Sequence, residues 1–304
     1  MKGSSRFGRV GRCVGAVVTL LVVCVGCLWV WTKVSEASAH ISPRVTWVPL
    51  ERILEKQVWD EGDYQVLSEQ TGLGKEALAF MEEQGRRKEL VELQESYFTP
   101  VKVECVPNSI ISKTEYVVDE LGMPARTTEI PYVEEGDILI TCCSHVFGWR
   151  NGHAAIVVDA DRRLVLEAQV LGSPSVITSL SVWEEYPSFM VLRLEGADRE
   201  ERAAIAEYAR EYLVGVPYHV MAGIWAQLTR SRAEEYKVVS GGMEDRMVQV
   251  DGADVPNGTH CAHLVWYAYH QFGYDLDSDG GIIVTPKDIA GSKKLKIIQK
   301  YGVG

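Results

Sequence analysis

The sequence predicts an α+β fold in which an antiparallel sheet packs on helices, and three features support this. Residues 49–98 repeat apolar side chains at helical spacing. The apolar runs "HAAIVVD" and "RLVLEAQV" are joined by the acidic turn "DADR", a pattern typical of a β-hairpin and therefore of antiparallel pairing. Two further helical stretches follow these strands, one beginning near Asp198 and one containing Cys261.

Residues 1–39 form the first predicted segment, an anchor or signal. Four basic residues precede an uncharged apolar run, Cys13 to Thr32, which is long enough to span a bilayer as a helix of ~20 residues. The positive-inside rule then places the body outside the cytoplasmic membrane, in the periplasm or at the cell surface. We expect a retained single-pass transmembrane helix. Cleavage after "ASA", at Ala39, and lipoprotein modification at Cys27 are the alternatives.

Residues 40–125 form the second segment, which is predicted to be helical with one short strand. A linker leads into a helical pattern with apolar positions at Ala77, Leu78 and Met81, for which Thr71 is a candidate N-cap. The run "PVKVECV" then predicts a strand.

Residues 126–304 form the third segment, predicted to be the catalytic domain. Strands are expected at "EEGDILIT", "HAAIVVD", "RLVLEAQV" and "FMVLRLEG". Asp198 begins the next helix with a capping pattern, and residues 229–258 have no clear period and read as a loop or hairpin insertion. The helix that contains Cys261 follows and ends at Gly273.

The charge balance excludes one class of partner. The net charge of −11 argues against nucleic acid, because phosphate binding needs a basic surface. Outside the apolar run the chain has no CxxC or HxxxH pair, so the cysteines do not predict a metal site. We expect no cofactor.

Cys261 has the features of a thiol nucleophile. If Thr259 caps the helix, Cys261 lies in its first turn, where the helix dipole favours a thiolate. Cys261, Val265 and Ala268 share the face that should meet the core. His263 lies about 200° away around the helix and is expected at the surface. His260 precedes the helix and could contact substrate in a cleft.

His153 is the distant imidazole that could serve this thiol. With the hairpin turn near Ala160, the register sets Glu167 opposite His153 or diagonal to it, on the same face. A carboxylate beside an imidazole fixes its tautomer and favours its charged form. The pair therefore predicts a Cys–His–Glu thiol hydrolase, although the spacing alone leaves a structural histidine as the alternative.

Five short motifs, in order, add a family resemblance. "GDILIT", "GHAAIVV", "VLEA", "GVPYHV" and "THCAHLVWYAY" resemble those of the permuted NlpC-type papain-like cysteine hydrolases, especially the YiiX-like branch. The match covers about Glu134 to Ile289. It implies a circularly permuted papain-like fold, with Cys261 as the nucleophile, His153 as the base and Glu167 as the orienting residue. It also implies that Tyr218 lines the active site.

The resemblance and the apolar run together imply a membrane-tethered extracytoplasmic cysteine hydrolase that forms a thioester. An amidase or peptidase acting on cell-wall peptides is the expected activity. A lipid-directed thiol acyltransferase or esterase is one alternative, and a catalytically silent papain-like binding module is another. The expected partners are a peptide or acyl-bearing substrate and the membrane.

A second cluster is a weaker candidate site. "DLDSDGG" places Asp275, Asp277 and Asp279 like the first ligands of a calcium loop. The twelfth position is Pro286, so the bidentate glutamate of such a loop is missing. A structural turn after the helix end is the alternative.

Overall fold

The computed structural model describes residues 15–27, 39–109, 112–146, 148–170, 172–220, 222, 247–250, 253–281 and 283–303. The first described segment, residues 15–27, is a helix, α1. None of the helices in these ranges combines the length and the apolar character needed to cross a membrane. The predicted anchor, Cys13 to Thr32, lies partly outside the described residues.

The body of the protein is α+β, as predicted, with antiparallel sheets packed against helices. The strands are β1 (Val103–Pro107), β2 (Ser112–Val117), β3 (Ile138–Thr141), β4 (Ser144–Val146), β5 (Trp149–Arg150), β6 (His153–Asp159), β7 (Leu164–Glu167), β8 (Val176–Ser179), β9 (Phe189–Leu194), β10 (Met247–Val250), β11 (Ala253–Pro256) and β12 (Leu295–Tyr301). The helices after α1 are α2 (Glu51–Leu54), α3 (Glu61–Thr71), α4 (Lys75–Glu83), α5 (Glu89–Phe98), α6 (Arg199–Tyr212), α7 (Cys261–His270) and α8 (Pro286–Ala290), with a 3-10 helix at Leu180–Glu185.

The central sheet has six strands in the order β12-β9-β3-β6-β7-β8, and its pairs are antiparallel. Helices cover both of its faces. One face, with Ile138, Ile156 and Leu192, packs on α6, α7 and α8. The other face, with Leu139 and Val157, packs on α3, α4, α5 and the 3-10 helix. Burial on both faces explains why "HAAIVV" is a continuous apolar run instead of an alternating one.

A second sheet has four strands in the order β1-β2-β4-β5, and β10 pairs with β11 as a two-stranded hairpin. The hairpin lies at the end of the predicted insertion, residues 229–258, and residues 229–246 lie outside the described residues. The second sheet is connected to the central sheet by the short segment between β3 and β4 and by Gly152, which leads into β6.

The strands and helices expected from the sequence are present, but two predicted caps, Thr71 and Thr259, are wrong. Asp198 caps α6, accepting a hydrogen bond from the backbone N–H of Glu201 at 2.8 Å. Thr71 does not cap α4. It is the last residue of α3, where its hydroxyl donates to the carbonyl of Leu67, and Gly74 takes the N-cap position of α4.

The packing of residues 40–98 on the central sheet generates a stability prediction. Leu78 of α4 is 0% exposed, whereas Leu121 is 88% exposed. Leu78→Ala should lower the free energy of unfolding by about 2–5 kcal/mol, because it leaves a cavity under the sheet. Leu121→Ala is the matched control and should change it by less than about 0.5 kcal/mol.

Chemical denaturation of the full chain in a neutral detergent, followed by circular dichroism and by tryptophan fluorescence, measures both changes. In Leu78→Ala the helices could lose their circular dichroism signal at a lower denaturant concentration than the sheet core unfolds. That result would show that residues 40–98 do not share the core of the sheet.

Candidate active site

Cys261 is the first residue of α7, and His260 immediately before it is the N-cap. The Nδ1 atom of His260 accepts a hydrogen bond from the backbone N–H of His263 at 3.3 Å. Thr259, the predicted cap, instead pairs its backbone with the segment around Tyr218. Cys261 therefore keeps the expected first-turn position, where the positive end of the helix dipole favours a thiolate.

The residues of α7 from Cys261 to Tyr269 are all buried, so this helix has no solvent-exposed face over that length. The expected surface position of His263 is therefore wrong. Its Nδ1 atom lies 3.2 Å from the hydroxyl of Thr259, and burial with the nearby His260 lowers the pKa of His263 to about 3. His263 is consequently a neutral core residue at physiological pH.

His153 begins β6 directly after a glycine that the geometry requires. Gly152 has φ +75°, and a Cβ there would lie 2.8 Å from the carbonyl oxygen of Thr141 and 3.3 Å from Pro286. Any larger residue at position 152 would have to move the backbone that places the His153 ring.

Glu167, the last residue of β7, lies beside His153 as predicted. Ala155 is its direct partner across the strands, so His153 is diagonal to it on the same face. The Nε2 atom of His153 lies 2.6 Å from Oε2 of Glu167, and both side chains are buried. This contact leaves Nδ1 of His153 as the ring nitrogen available to a thiol.

Two further side chains donate hydrogen bonds to the carboxylate of Glu167. Oε1 of Glu167 accepts hydrogen bonds from Gln169 Nε2 at 2.9 Å and from the hydroxyl of Thr178. Burial alone would raise the pKa of Glu167, but the contacts with His153 and the two donors lower it. The carboxylate is therefore held ionised inside the protein, with its charge matched by hydrogen bonds.

Trp183 of the 3-10 helix stacks on the imidazole ring of His153. Its ring lies 5.4 Å from the ring of His153, centroid to centroid, at an interplanar angle of 16°. Trp183 is 0% exposed and belongs to the core formed with α3, α4 and α5. The N-terminal helices thus pack against the residue that limits the position of His153.

The pKa values of Cys261 and His153 are shifted in the directions that favour an ion pair between them. Burial would raise the pKa of Cys261, but interactions with His153 and His260 outweigh it and lower the pKa to about 5. Burial would lower the pKa of His153, but hydrogen bonding to Cys261 and Glu167 and the charges of both raise it to about 10. Both shifts favour a thiolate beside an imidazolium, which is the reactive form of a cysteine nucleophile.

Tyr218 and His260 line the same cleft as the thiol. A backbone bridge to Thr259 and a hydrogen bond of 2.7 Å from His219 N to the Thr259 carbonyl hold Tyr218 at the start of α7. Burial, with the charge of Cys261, raises the pKa of Tyr218, so its hydroxyl stays protonated and can donate. The Nε2 atom of His260 is buried, and no atom of the described residues lies in hydrogen-bonding geometry with it.

These residues line one cleft of about 240 Å³. Cys261, His153, His260 and Tyr218 line it, and β2 and β4 of the second sheet contribute Lys113 and His145. A substrate group in this cleft can therefore contact the thiol and the second sheet together.

The aspartate cluster differs from the predicted calcium set. Asp277 and Asp279 come together with Asp288, and their oxygens lie within 4.8 Å of one another. Asp275 instead accepts a hydrogen bond from Trp266 Nε1 at 2.8 Å. Asp277 and Asp279 accept hydrogen bonds from backbone N–H groups of their own loop, which is the behaviour of a structural turn.

Several residues of the site were not identified from the sequence. Gln169 follows Glu167 by two positions, so the period of the strand could have found it. Thr178 and Trp183 belong to later elements and carry no local signal. A second buried imidazole–carboxylate pair, His145 with Glu115, depends on pairing between β2 and β4, which are distant in sequence.

Comparison with known proteins adds little. No protein-family model matches the chain, and no curated protein sequence matches it. Among solved structures, the chain is similar to the metalloprotein yiiX from Escherichia coli O157:H7, with a TM-score of 0.36 and 16% identity over 55% of this chain and 97% of that chain. This similarity is weak and carries no argument about fold or chemistry.

The ion pair predicts an unusual pH dependence of alkylation. Iodoacetamide reacts with the thiolate, so the rate at Cys261 should stay high from neutral pH down to about 5 and fall only below it. The pKa of Cys142 is raised, chiefly by desolvation, so the rate at this residue should rise only in alkaline solution.

Mass spectrometry of the two cysteine peptides after timed labelling measures both rates in one sample. In His153→Gln the pH at which alkylation of Cys261 reaches half its maximal rate should rise by more than one unit. The reason is that burial raises the pKa of the thiol, and the imidazolium that lowers it is then missing. Equal pH profiles for Cys261 and Cys142 in the unmodified protein would contradict the ion pair.

Proposed function

We propose that this protein is a cysteine hydrolase that uses Cys261, His153 and Glu167 and passes through a thioester. The observation that carries the proposal is the thiol at the N-terminus of α7, paired with an imidazole that a buried carboxylate holds at 2.6 Å. An ionised set of this kind at the wall of a cleft favours an enzyme over a silent binding module.

The proposed reaction is acyl transfer in two steps. The thiolate of Cys261 attacks a carbonyl carbon, and the backbone N–H of Cys261 with the hydroxyl of Tyr218 stabilises the oxyanion. The imidazolium of His153 protonates the leaving amine or alcohol as the thioester forms. His153 then removes a proton from water, which attacks the thioester and releases the acid and the thiolate.

We also propose that the catalytic part is a circularly permuted papain-like fold of the NlpC type. The support is the chain order of the site, His153, then Glu167, then Cys261, together with the motifs that resemble that group. A helix bearing the nucleophile and packed on an antiparallel sheet is compatible with this assignment.

The proposed substrate is an amide bond in a cell-wall peptide. The support is indirect, since the apolar run Cys13 to Thr32 after basic residues favours a body held outside the cytoplasmic membrane. Acyl transfer from a lipid is the competing activity, because the same tether would keep the cleft near a bilayer.

The test incubates the full chain in a neutral detergent with purified peptidoglycan and, separately, with phospholipid vesicles. Cys261→Ala removes the nucleophile, and Cys142→Ala is the matched control, because Cys142 does not line the cleft. Mass spectrometry identifies any product. Peptide fragments that disappear only in Cys261→Ala support the proposal, whereas Cys261-dependent changes in lipids replace the peptide substrate with an acyl lipid. Product that persists in Cys261→Ala, or no product from either, contradicts the proposed activity.

Loss of the carboxylate charge should slow catalysis without removing the thiol. In Glu167→Gln the amide oxygen can still meet His153, but the negative charge that favours the imidazolium is lost. Turnover should fall by about 10²-fold or more, and the thiolate midpoint of Cys261 should rise.

Thr178→Val is the matched control, because it removes one donor to Glu167 and leaves the charge in place. Its turnover should fall by less than about tenfold. Equal losses of turnover in Glu167→Gln and Thr178→Val would show that catalysis does not depend on the charge of Glu167.

A further inference from the structure

The imidazole ring of His260 caps the helix that carries the thiol. Its Nδ1 atom accepts a hydrogen bond from the backbone N–H of His263 at 3.3 Å. A ring nitrogen that accepts a hydrogen bond carries no proton, so the ring proton of His260 lies on Nε2. The contact at the N-terminus of α7 therefore selects one tautomer of His260 and makes its Nε2 atom a hydrogen-bond donor.

This donor has no acceptor among the described residues. His260 is 8% exposed, its Nε2 atom is buried, and no described atom lies in hydrogen-bonding geometry with Nε2. Buried polar atoms without a partner are rare in folded proteins, and a functional site is one place where they occur. Because His260 lines the cleft, a substrate bound there is a source of the acceptor that Nε2 lacks.

The ring also lies beside the reacting sulfur. His260 immediately precedes Cys261 and reaches over the first turn of α7 to the N–H of His263. Burial raises the pKa of the Cys261 thiol, whereas hydrogen bonding to His153 and to His260 lowers it, so both rings act on one sulfur atom. Their roles differ, because the cap contact occupies Nδ1 of His260 and its Nε2 atom already holds a proton. His260 is therefore placed to donate a hydrogen bond and not to act as a second base.

Acyl transfer at Cys261 creates an acceptor that is absent before the reaction. When the thiolate bonds to a carbonyl carbon, the π electrons of the carbonyl move to its oxygen, and that oxygen becomes an anion close to the N-terminus of α7. A preorganised donor that gains its partner at this moment stabilises the transition state more than the ground state.

We propose that His260 is a further catalytic residue, whose Nε2–H binds the oxyanion together with the backbone N–H of Cys261 and the hydroxyl of Tyr218. His260 forms no bond to carbon and transfers no proton. Its hydrogen bond strengthens as the C–S bond forms and weakens when the thioester carbonyl is restored. The inference rests on the proposed function, because it adds a donor to the same reaction.

The variant His260→Ser separates this role from that of a helix cap. Serine is a preferred N-cap residue, so it keeps α7 capped, but its short side chain does not reach the position of Nε2. The first test measures the rates of two reagents with the full chain in a neutral detergent at pH 8. p-Nitrophenyl acetate acylates the thiolate through a tetrahedral intermediate, whereas iodoacetamide alkylates it by displacement of iodide and forms no oxyanion.

In His260→Ser the Cys261-dependent release of nitrophenolate should slow about 10²-fold, as expected for loss of one oxyanion donor. Alkylation of Cys261 should slow by less than about threefold, because a thiol with a pKa of about 5 is still ionised at pH 8 after part of that lowering is lost. His270→Ser is the matched control, because His270 ends the same helix and does not line the cleft. Both of its rates should equal those of the unmodified protein.

Two results of this comparison overturn the inference while leaving the thiol chemistry intact. Equal losses of the two rates in His260→Ser would show that His260 acts only through the thiolate. Unchanged rates would show that it only caps the helix. A nitrophenolate release that Cys261→Ala leaves unchanged, or a Cys261 that iodoacetamide does not label, counts against the proposed function instead.

A second measurement determines the tautomer without relying on the rates. Protonated and unprotonated ring nitrogens have different ¹⁵N chemical shifts, and comparison with His260→Ser identifies the signals of His260 in the unmodified protein. A proton on Nε2 and none on Nδ1 is the expected result and supports the inference. A proton on Nδ1 and none on Nε2 overturns it, because Nε2 would then present a lone pair that repels the oxyanion.

Discussion

The hydrogen bond of 2.6 Å between Glu167 and His153 is the interaction on which the rest of the site depends. A buried carboxylate is stable only when its charge is matched, and Glu167 is matched by one imidazole and two neutral donors. The thiolate of Cys261 and the ionised carboxylate of Glu167 together raise the pKa of His153, and the protonated ring in turn stabilises the thiolate. Removal of the carboxylate charge would therefore weaken both the protonation of His153 and the stabilisation of the Cys261 thiolate.

Two layers of helices fix this arrangement from opposite faces of one sheet. Helix α7 brings Cys261 from the face that it shares with α6. Trp183, in the core that the N-terminal helices form on the other face, stacks on His153. The site lies where β6 begins, and the positive φ of Gly152 turns the chain into that strand. Residues 40–98 therefore contribute to the position of the His153 imidazole, although none of them lines the cleft in the described parts of the chain.

The sequence predicts the parts of the site that depend on local periodicity. His153 and Glu167 belong to one hairpin, so the turn near Ala160 is enough to put them on the same face. The prediction for His263 is wrong because it assumes that one face of α7 meets solvent, whereas the fold surrounds the helix. Whether a helix is enclosed depends on elements far away in the chain. The same is true of the pairing of Lys113 with His145, which only the assembled second sheet reveals.

The protonation state of His153 tests the central claim most directly. Imidazole signals in a ¹⁵N NMR spectrum distinguish the imidazolium from the neutral ring, and His153→Gln identifies the signal of this residue. An ion pair between the Cys261 thiolate and the His153 imidazolium predicts that His153 remains protonated at pH 8 in the unmodified protein. In Cys261→Ala its pKa should fall, because the thiolate no longer favours the charged ring. A neutral His153 at pH 8 in the unmodified protein, or a spectrum that Cys261→Ala leaves unchanged, would contradict the ion pair and the mechanism built on it.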